Sequence, residues 1–185
     1  DTVLTFFVTA LLLALAPGPD IIFVLTQSAL YGMRAGVATT LGLISGLCFH
    51  TTIVAVGVAG LLMASSLAFG LLTLVGAAYL LYLAWLSFRA GASMAHLQES
   101  RFLGYGALYR RGVFMNITNP KVTLFFLAFL PQFCVPERGS VALQVMELGL
   151  LFMLAAFLVF TAVSALGGRL ALWFNSSPRG QMLMH

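Results

Sequence analysis

Charge is what this chain has least of. Only 8% of its 185 residues are Asp, Glu, Lys or Arg, 61% are hydrophobic, and the mean hydropathy is +1.04. A soluble domain carries roughly 25% charged residues, so there is too little polar surface here to cover a water-soluble globule. Short segments of alternating polarity are missing as well, which excludes a membrane β-barrel. The cysteines are few. Cys48 and Cys134 have no metal-type spacing and read as small buried hydrophobes. No basic region precedes the apolar run from Thr5 to Ala16, although Ala14-Leu15-Ala16 mimics a cleavage site. That run reads as the first half of a retained span, not as a signal peptide. Because the chain starts at Asp1 without Met, a few residues are expected to precede it.

Long apolar runs are what it has. A bilayer core takes about 20 helical residues, and five segments qualify. They run from about Thr2 to Leu30, Gly36 to Ala64, Leu67 to Phe88, Gly112 to Phe133 and Val141 to Leu166. The net charge of +4 comes from nine basic and five acidic residues. Apart from Lys121 the basic ones lie in loops, as membrane topology requires, so they carry no argument for nucleic acid as a partner. Arg34, Arg89, Arg101, Arg110, Arg111, Arg169 and Arg179 fall on one side and Arg138 alone on the other. The bias places the 89–111 loop in the cytoplasm and the N-terminus outside. The turn near Ser65-Ser66 is short, making the second and third spans a hairpin.

Two of the spans contain breaks. The first carries Ala16-Pro17-Gly18-Pro19-Asp20, the fourth Asn119-Pro120-Lys121. Proline removes a backbone donor and clashes with the preceding turn, and Gly18 is read as the residue that lets the chain turn. Each break places an ionisable residue, Asp20 or Lys121, in sequence that otherwise reads as lipid-buried. Broken backbone and charge are both costly in hydrocarbon. The two charges are 101 residues apart, and the same shift carries the second span, near 36–64, onto 137–165, the fifth span. Three spans per half is an odd number, so the halves insert with opposite orientation. The expected fold is therefore an all-α integral membrane protein, a 3+3 inverted-repeat transporter with broken first and fourth helices. Residues 1–90 form the first repeat, 91–111 a cytoplasmic linker, and 112–185 a second repeat that is incomplete. A sixth helix is expected to begin near Gln181, and a chain cut short there is favoured over a five-helix variant.

The chemistry of the breaks points to a zwitterion. Half-helix N-termini suit a carboxylate, whereas carbonyls and Asp20 suit an ammonium. Asp20 is assigned to the substrate ammonium or to a proton exchanged for it. Lys121 is assigned to the carboxylate, with Asn116 and Asn119 as further polar contacts and Pro17, Gly18, Pro19 and Pro120 as the broken backbone around them. Without substrate, Asp20 and Lys121 are expected to pair. Plainer readings stand beside these. Asp20 can simply cap the half-helix that starts there. Lys121 can snorkel, although the ten residues from Arg111 put it about 15 Å deep, near the midplane. His50 is either a proton relay with Asp20 or a neutral packing residue. Gln27 and Ser28 are candidates for the same cavity. The G-x-x-x-G pairs Gly32/Gly36 and Gly42/Gly46 allow close helix approach, more safely within one subunit than between subunits. Tyr79, Tyr82 and Trp85 read as an aromatic belt.

Several stretches resemble the LysE/RhtB family of bacterial amino-acid exporters. They are Leu15-Ala16-Pro17-Gly18-Pro19-Asp20, Gly76 to Trp85, Arg110-Arg111-Gly112 with Asn116, and Asn119-Pro120-Lys121 followed by Phe125 to Phe133. The likeness runs from about Phe6 to Arg169. It implies export of amino acids or close derivatives across the inner membrane, driven by the proton gradient, with no cofactor and no enzymatic activity. The implied partners are the amino acid, protons and the lipid bilayer, and a homo-oligomer is left open. Two other classes compete. A metal-cation exporter of the same architecture would need more charged or soft ligands than one carboxylate. An intramembrane enzyme would need a nucleophile with a base, or paired metal ligands, and His50 has no second histidine. Side-chain preference leans to neutral substrates, because beyond Asp20 only Glu147 lies within a span.

Overall fold

The computed structural model describes residues 2–64, 66–89 and 102–176. Ser65, most of the expected linker and the segment expected to begin a sixth helix lie outside the described residues. The described chain is helical: α1 (Thr2–Leu15), α2 (Pro19–Tyr31), α3 (Met33–Ala64), α4 (Ser66–Arg89), α5 (Tyr105–Ile117), α6 (Pro120–Leu124) and α7 (Val141–Ser176). After α6 the helix loosens into a π segment, Phe125–Phe129, then tightens into a 3₁₀ turn, Leu130–Phe133.

All five expected spans are present as helix. α3 and α7 are long and apolar enough to cross a membrane alone. The pairs α1 with α2, and α5 with the helix from Pro120 to Phe133, meet the same test as bent units, with bends of 59° and 48°. α4 contributes a shorter apolar helix, Gly70–Leu86. Two bounds differ from the sequence reading. The fourth span begins at Tyr105, so Arg110 and Arg111 sit on helix and not in a loop; the mixed composition of Tyr105 to Arg111 concealed its helical character. The fifth helix runs on to Ser176, past the expected end at Leu166.

Both breaks follow from local chemistry. α1 makes its last bond from Ala16 N to Leu12 O (2.9 Å), and Pro17 then disfavours helix for the residue before it. α2 restarts with Pro19 in its first turn, where a missing N–H costs nothing. Gly18 is extended (φ −169°, ψ 173°), a conformation open to any residue. Its backbone freedom is therefore not what the break requires, contrary to the sequence reading. α5 ends at Ile117, and α6 restarts at Pro120 behind an Asn119 cap, whose side chain accepts from Lys121 N at 3.0 Å.

α3 is the spine, packed most extensively on α5 and α7. Glycine permits the α3–α5 crossing. A Cβ on Gly42 would collide with the Tyr109 carbonyl, and one on Gly112 would lie 2.6 Å from Thr39 O. Gly36 fits against Ser28 and Ser164, and Gly167 and Gly168 lie against Ser28 and Met33, which draws α2, α3 and α7 together at the Arg34 end. Gly36, Gly42 and Gly46 of the two small-residue pairs thus serve packing within the chain, whereas Gly32 has nothing within 4 Å. The core beside the breaks is aromatic: Phe125 packs at a tilt against Phe6 (6.2 Å) and Phe152 (4.9 Å), and Phe126 meets Phe152 edge-on (5.3 Å). α4 rests on the π segment through Gly76 against Ala128. Its Leu67, Leu74, Leu81, Tyr82 and Trp85 face outward, as lipid-facing side chains do.

Candidate functional site

The two breaks meet. A small cavity of about 30 Å³ lies between them, lined by Asp20 and Gly18 from the first break and by Asn116, Asn119 and Lys121 from the second. Leu47 of α3 and the α7 residues Phe152, Ala156 and Phe160 close it. The central site residues of the sequence reading are thus brought together from elements about a hundred positions apart.

Asp20 is 7% exposed and sits at the second position of α2. It does not cap that helix: the cap position is Gly18, with no side-chain bond. The carboxylate instead turns to the second break, where Asn116 Nδ2 donates to its Oδ2 at 3.3 Å. Its other oxygen, Oδ1, is buried without a hydrogen-bond partner, and so is Asn116 Oδ1. Buried acceptors are normally paired. Two orphans on adjacent side chains in one cavity form a place for a donor.

Lys121 does something the sequence did not disclose. Its Nζ donates to Leu13 O and Ala16 O, both at 2.9 Å. These are carbonyls at the open C-terminal end of α1, which lack helical partners, and a cation there also meets the negative end of the helix dipole. The ammonium is committed to this end and not to the expected pair with Asp20. Lys121 still lies on the cavity wall, where a Cβ on Gly18 would be 3.5 Å from Nζ. It also borders a second cavity of about 320 Å³, lined by Leu13, Pro17, Leu80 and Leu83 between α1 and α4.

His50 stands one layer back. It is buried, and its Nε2–H donates to the Asn116 carbonyl at 3.1 Å, with the ring packed by Phe49 and Phe126. A carbonyl only accepts, so Nε2 carries the proton. His50 therefore reaches Asp20 through Asn116, not directly. Gln27 and Ser28 are buried but do not line the cavity; Ser28 donates to Val24 O (2.6 Å) at the α2–α3–α7 contact. Glu147 is exposed on the outside of α7, away from the site. Gly46 is the contributor that motif reading undervalued. A Cβ there would lie 2.7 Å from Asn116 Cβ and 2.8 Å from its Oδ1, so the missing side chain is what seats Asn116. Among the described residues, no group of three or more His, Cys, Asp or Glu side chains is gathered.

The chain is similar in sequence to known proteins. The family model described as LysE type translocator matches residues 11–185. The homoserine/homoserine lactone efflux protein of Salmonella typhimurium is 36% identical over 170 residues, covering 92% of this chain and 82% of that one. The protein of the same name from Salmonella typhi is 34% identical with the same coverage. An uncharacterized membrane protein of Vibrio cholerae is 33% identical over 173 residues, covering 94% of this chain and 84% of its own. No solved structure matches. The chain belongs to the LysE type translocator family, membrane proteins that export amino acids and their derivatives.

Proposed function

We propose that this protein exports small amino acids with uncharged side chains, and their carboxyl derivatives, from the cytoplasm across the inner membrane in exchange for protons. The carrying observation is the pair of buried, unpartnered acceptors, Asp20 Oδ1 and Asn116 Oδ1. A substrate α-ammonium supplies donors to both at once. It also neutralises a carboxylate that is expensive to keep charged inside a membrane. When the ammonium leaves, a proton on Asp20 performs the same neutralisation, and this couples outward substrate to inward proton.

The substrate carboxylate is received at the start of α2, where no side chain caps the main-chain N–H groups of Asp20 and Ile21, with Lys121 alongside. The two ends are not equal in weight. Homoserine lactone, named for two relatives, keeps the ammonium but has its carboxyl closed into an ester. A site that takes both forms must anchor on the ammonium. That agrees with Lys121 being occupied by α1 while the buried acceptors at Asp20 and Asn116 are unpaired. The neutral preference is supported by the lining, which among the described residues contains no second carboxylate, with Glu147 outside it.

The two breaks, each at a charge and bent by 59° and 48°, support the inverted-repeat reading. The one-sided distribution of the arginines along the chain supports a cytoplasmic 89–111 segment. The test is uptake of labelled homoserine into inverted membrane vesicles under an imposed pH gradient. Asp20→Asn and Lys121→Met, at wild-type membrane levels, are expected to lose uptake. Wild-type rates from both would sink the assignment.

A further inference from the structure

The wall facing the two breaks belongs to α7. Phe152, Ala156 and Phe160 recur at every fourth position and all line the cavity, so they form one stripe along the helix. The outer two are large and buried, 4% and 6% exposed, and Ala156 between them is 2% exposed. The stripe is thus a notch one residue wide, floored by a methyl group. Its upper edge is held in place, because the Phe152 ring is packed by Phe125 at 4.9 Å and by Phe126 at 5.3 Å. Leu47 and Ile21 complete an apolar surround. The polar groups of the site all come from the other side, from α2, α5 and α6.

We propose that Ala156 sets the upper size limit of the transported side chain. The inference rests on the cavity being the substrate site. With the ammonium at Asp20 and Asn116 and the carboxyl at the start of α2, the third substituent of the α-carbon is directed towards α7, and of the three α7 residues in the lining only Ala156 is small. A branched side chain at 156 fills the notch beside a Phe152 ring that is held from behind by Phe125 and Phe126. Removing the methyl deepens it. In an apolar pocket, one methylene more or less changes selection by roughly 10- to 200-fold, so a single residue here is enough to divide small substrates from large ones.

The experiment is competition uptake of labelled L-alanine and L-leucine into inverted vesicles carrying wild type, Ala156→Leu, Ala156→Gly or Asp20→Asn, each normalised to membrane level. The alanine-to-leucine uptake ratio is expected to rise at least about tenfold in Ala156→Leu and to fall in Ala156→Gly. If the leucine variant does not insert, the direction of the glycine variant decides. An unchanged ratio in the inserted variants overturns the proposal. So does equal loss of both substrates in Ala156→Gly at a normal membrane level, because that marks a purely structural role. Failure of the underlying site reading shows separately, as normal uptake of both amino acids by Asp20→Asn.

Discussion

Replacing Gly46 with alanine tests the site at a position that touches neither charge. The added Cβ would lie 2.7 Å from Asn116 Cβ, 2.8 Å from its Oδ1 and 3.0 Å from its Cγ. The nearest of these is the root of the side chain, so rotating the amide does not relieve the clash, and α3 and α5 must separate locally. Overpacking of this kind costs about 1–3 kcal/mol. Displacing Asn116 also stretches its 3.3 Å bond to Asp20. A hydrogen bond to a charged group is worth about 1.5–3 kcal/mol, which corresponds to roughly a 10- to 150-fold weaker hold on whatever the pair binds. Gly46→Ala is therefore expected to raise the half-saturating homoserine concentration in vesicle uptake by at least about tenfold, at reduced thermal stability in detergent. Gly57→Ala is the control: it lies in the same helix with nothing within 4 Å of the new Cβ. Alanine's better helix propensity, worth about 1 kcal/mol, should leave that variant as stable as wild type or more so. Wild-type uptake by Gly46→Ala would refute the view that Gly46 exists to seat Asn116.

Three further outcomes follow from the geometry. His50→Gln keeps a donor for the Asn116 carbonyl and is expected to transport with an unaltered pH profile, whereas His50→Leu loses the 3.1 Å bond and most uptake; a shifted profile in His50→Gln would instead make the imidazole a proton carrier. Gly42→Val forces a branched side chain onto the Tyr109 carbonyl at the α3–α5 crossing, and should cost at least about 3 kcal/mol; pulse-chase decay of membrane-inserted protein measures it. Glu147→Gln, on the exposed side of α7, is expected to leave homoserine uptake unchanged, and a changed substrate range would bring Glu147 into the site.

The breaks were legible because proline declares itself: Pro17, Pro19 and Pro120 each lack an N–H, and no tertiary context restores it. The meeting of the two breaks was legible too, from their shared spacing and their opposite charges. The partner of Lys121 was not. The carbonyls it reaches belong to Leu13 and Ala16, and any residue can offer a carbonyl at a helix end. The π segment at Phe125–Phe129 was hidden for a similar reason, since a run of phenylalanines, leucine and alanine fits an α-helix equally well. Gly46 was seen as a point of close approach, but a motif specifies only that something comes near, not that it is the side chain holding Asp20.

The bond from Lys121 to the end of α1 also bears on how the protein is made. Ala16 and Lys121 are 105 residues apart in the chain. At ribosomal speeds of about 5–20 residues per second, roughly 5–20 s separate their synthesis. Throughout that interval the end of α1 has no lysine to close it, with two carbonyls still to be satisfied by lipid headgroups, water or the insertion machinery. Its final docking must therefore come after the fourth span has entered the bilayer. A nascent chain stalled before residue 121 should hold its first segment more shallowly than the finished protein does.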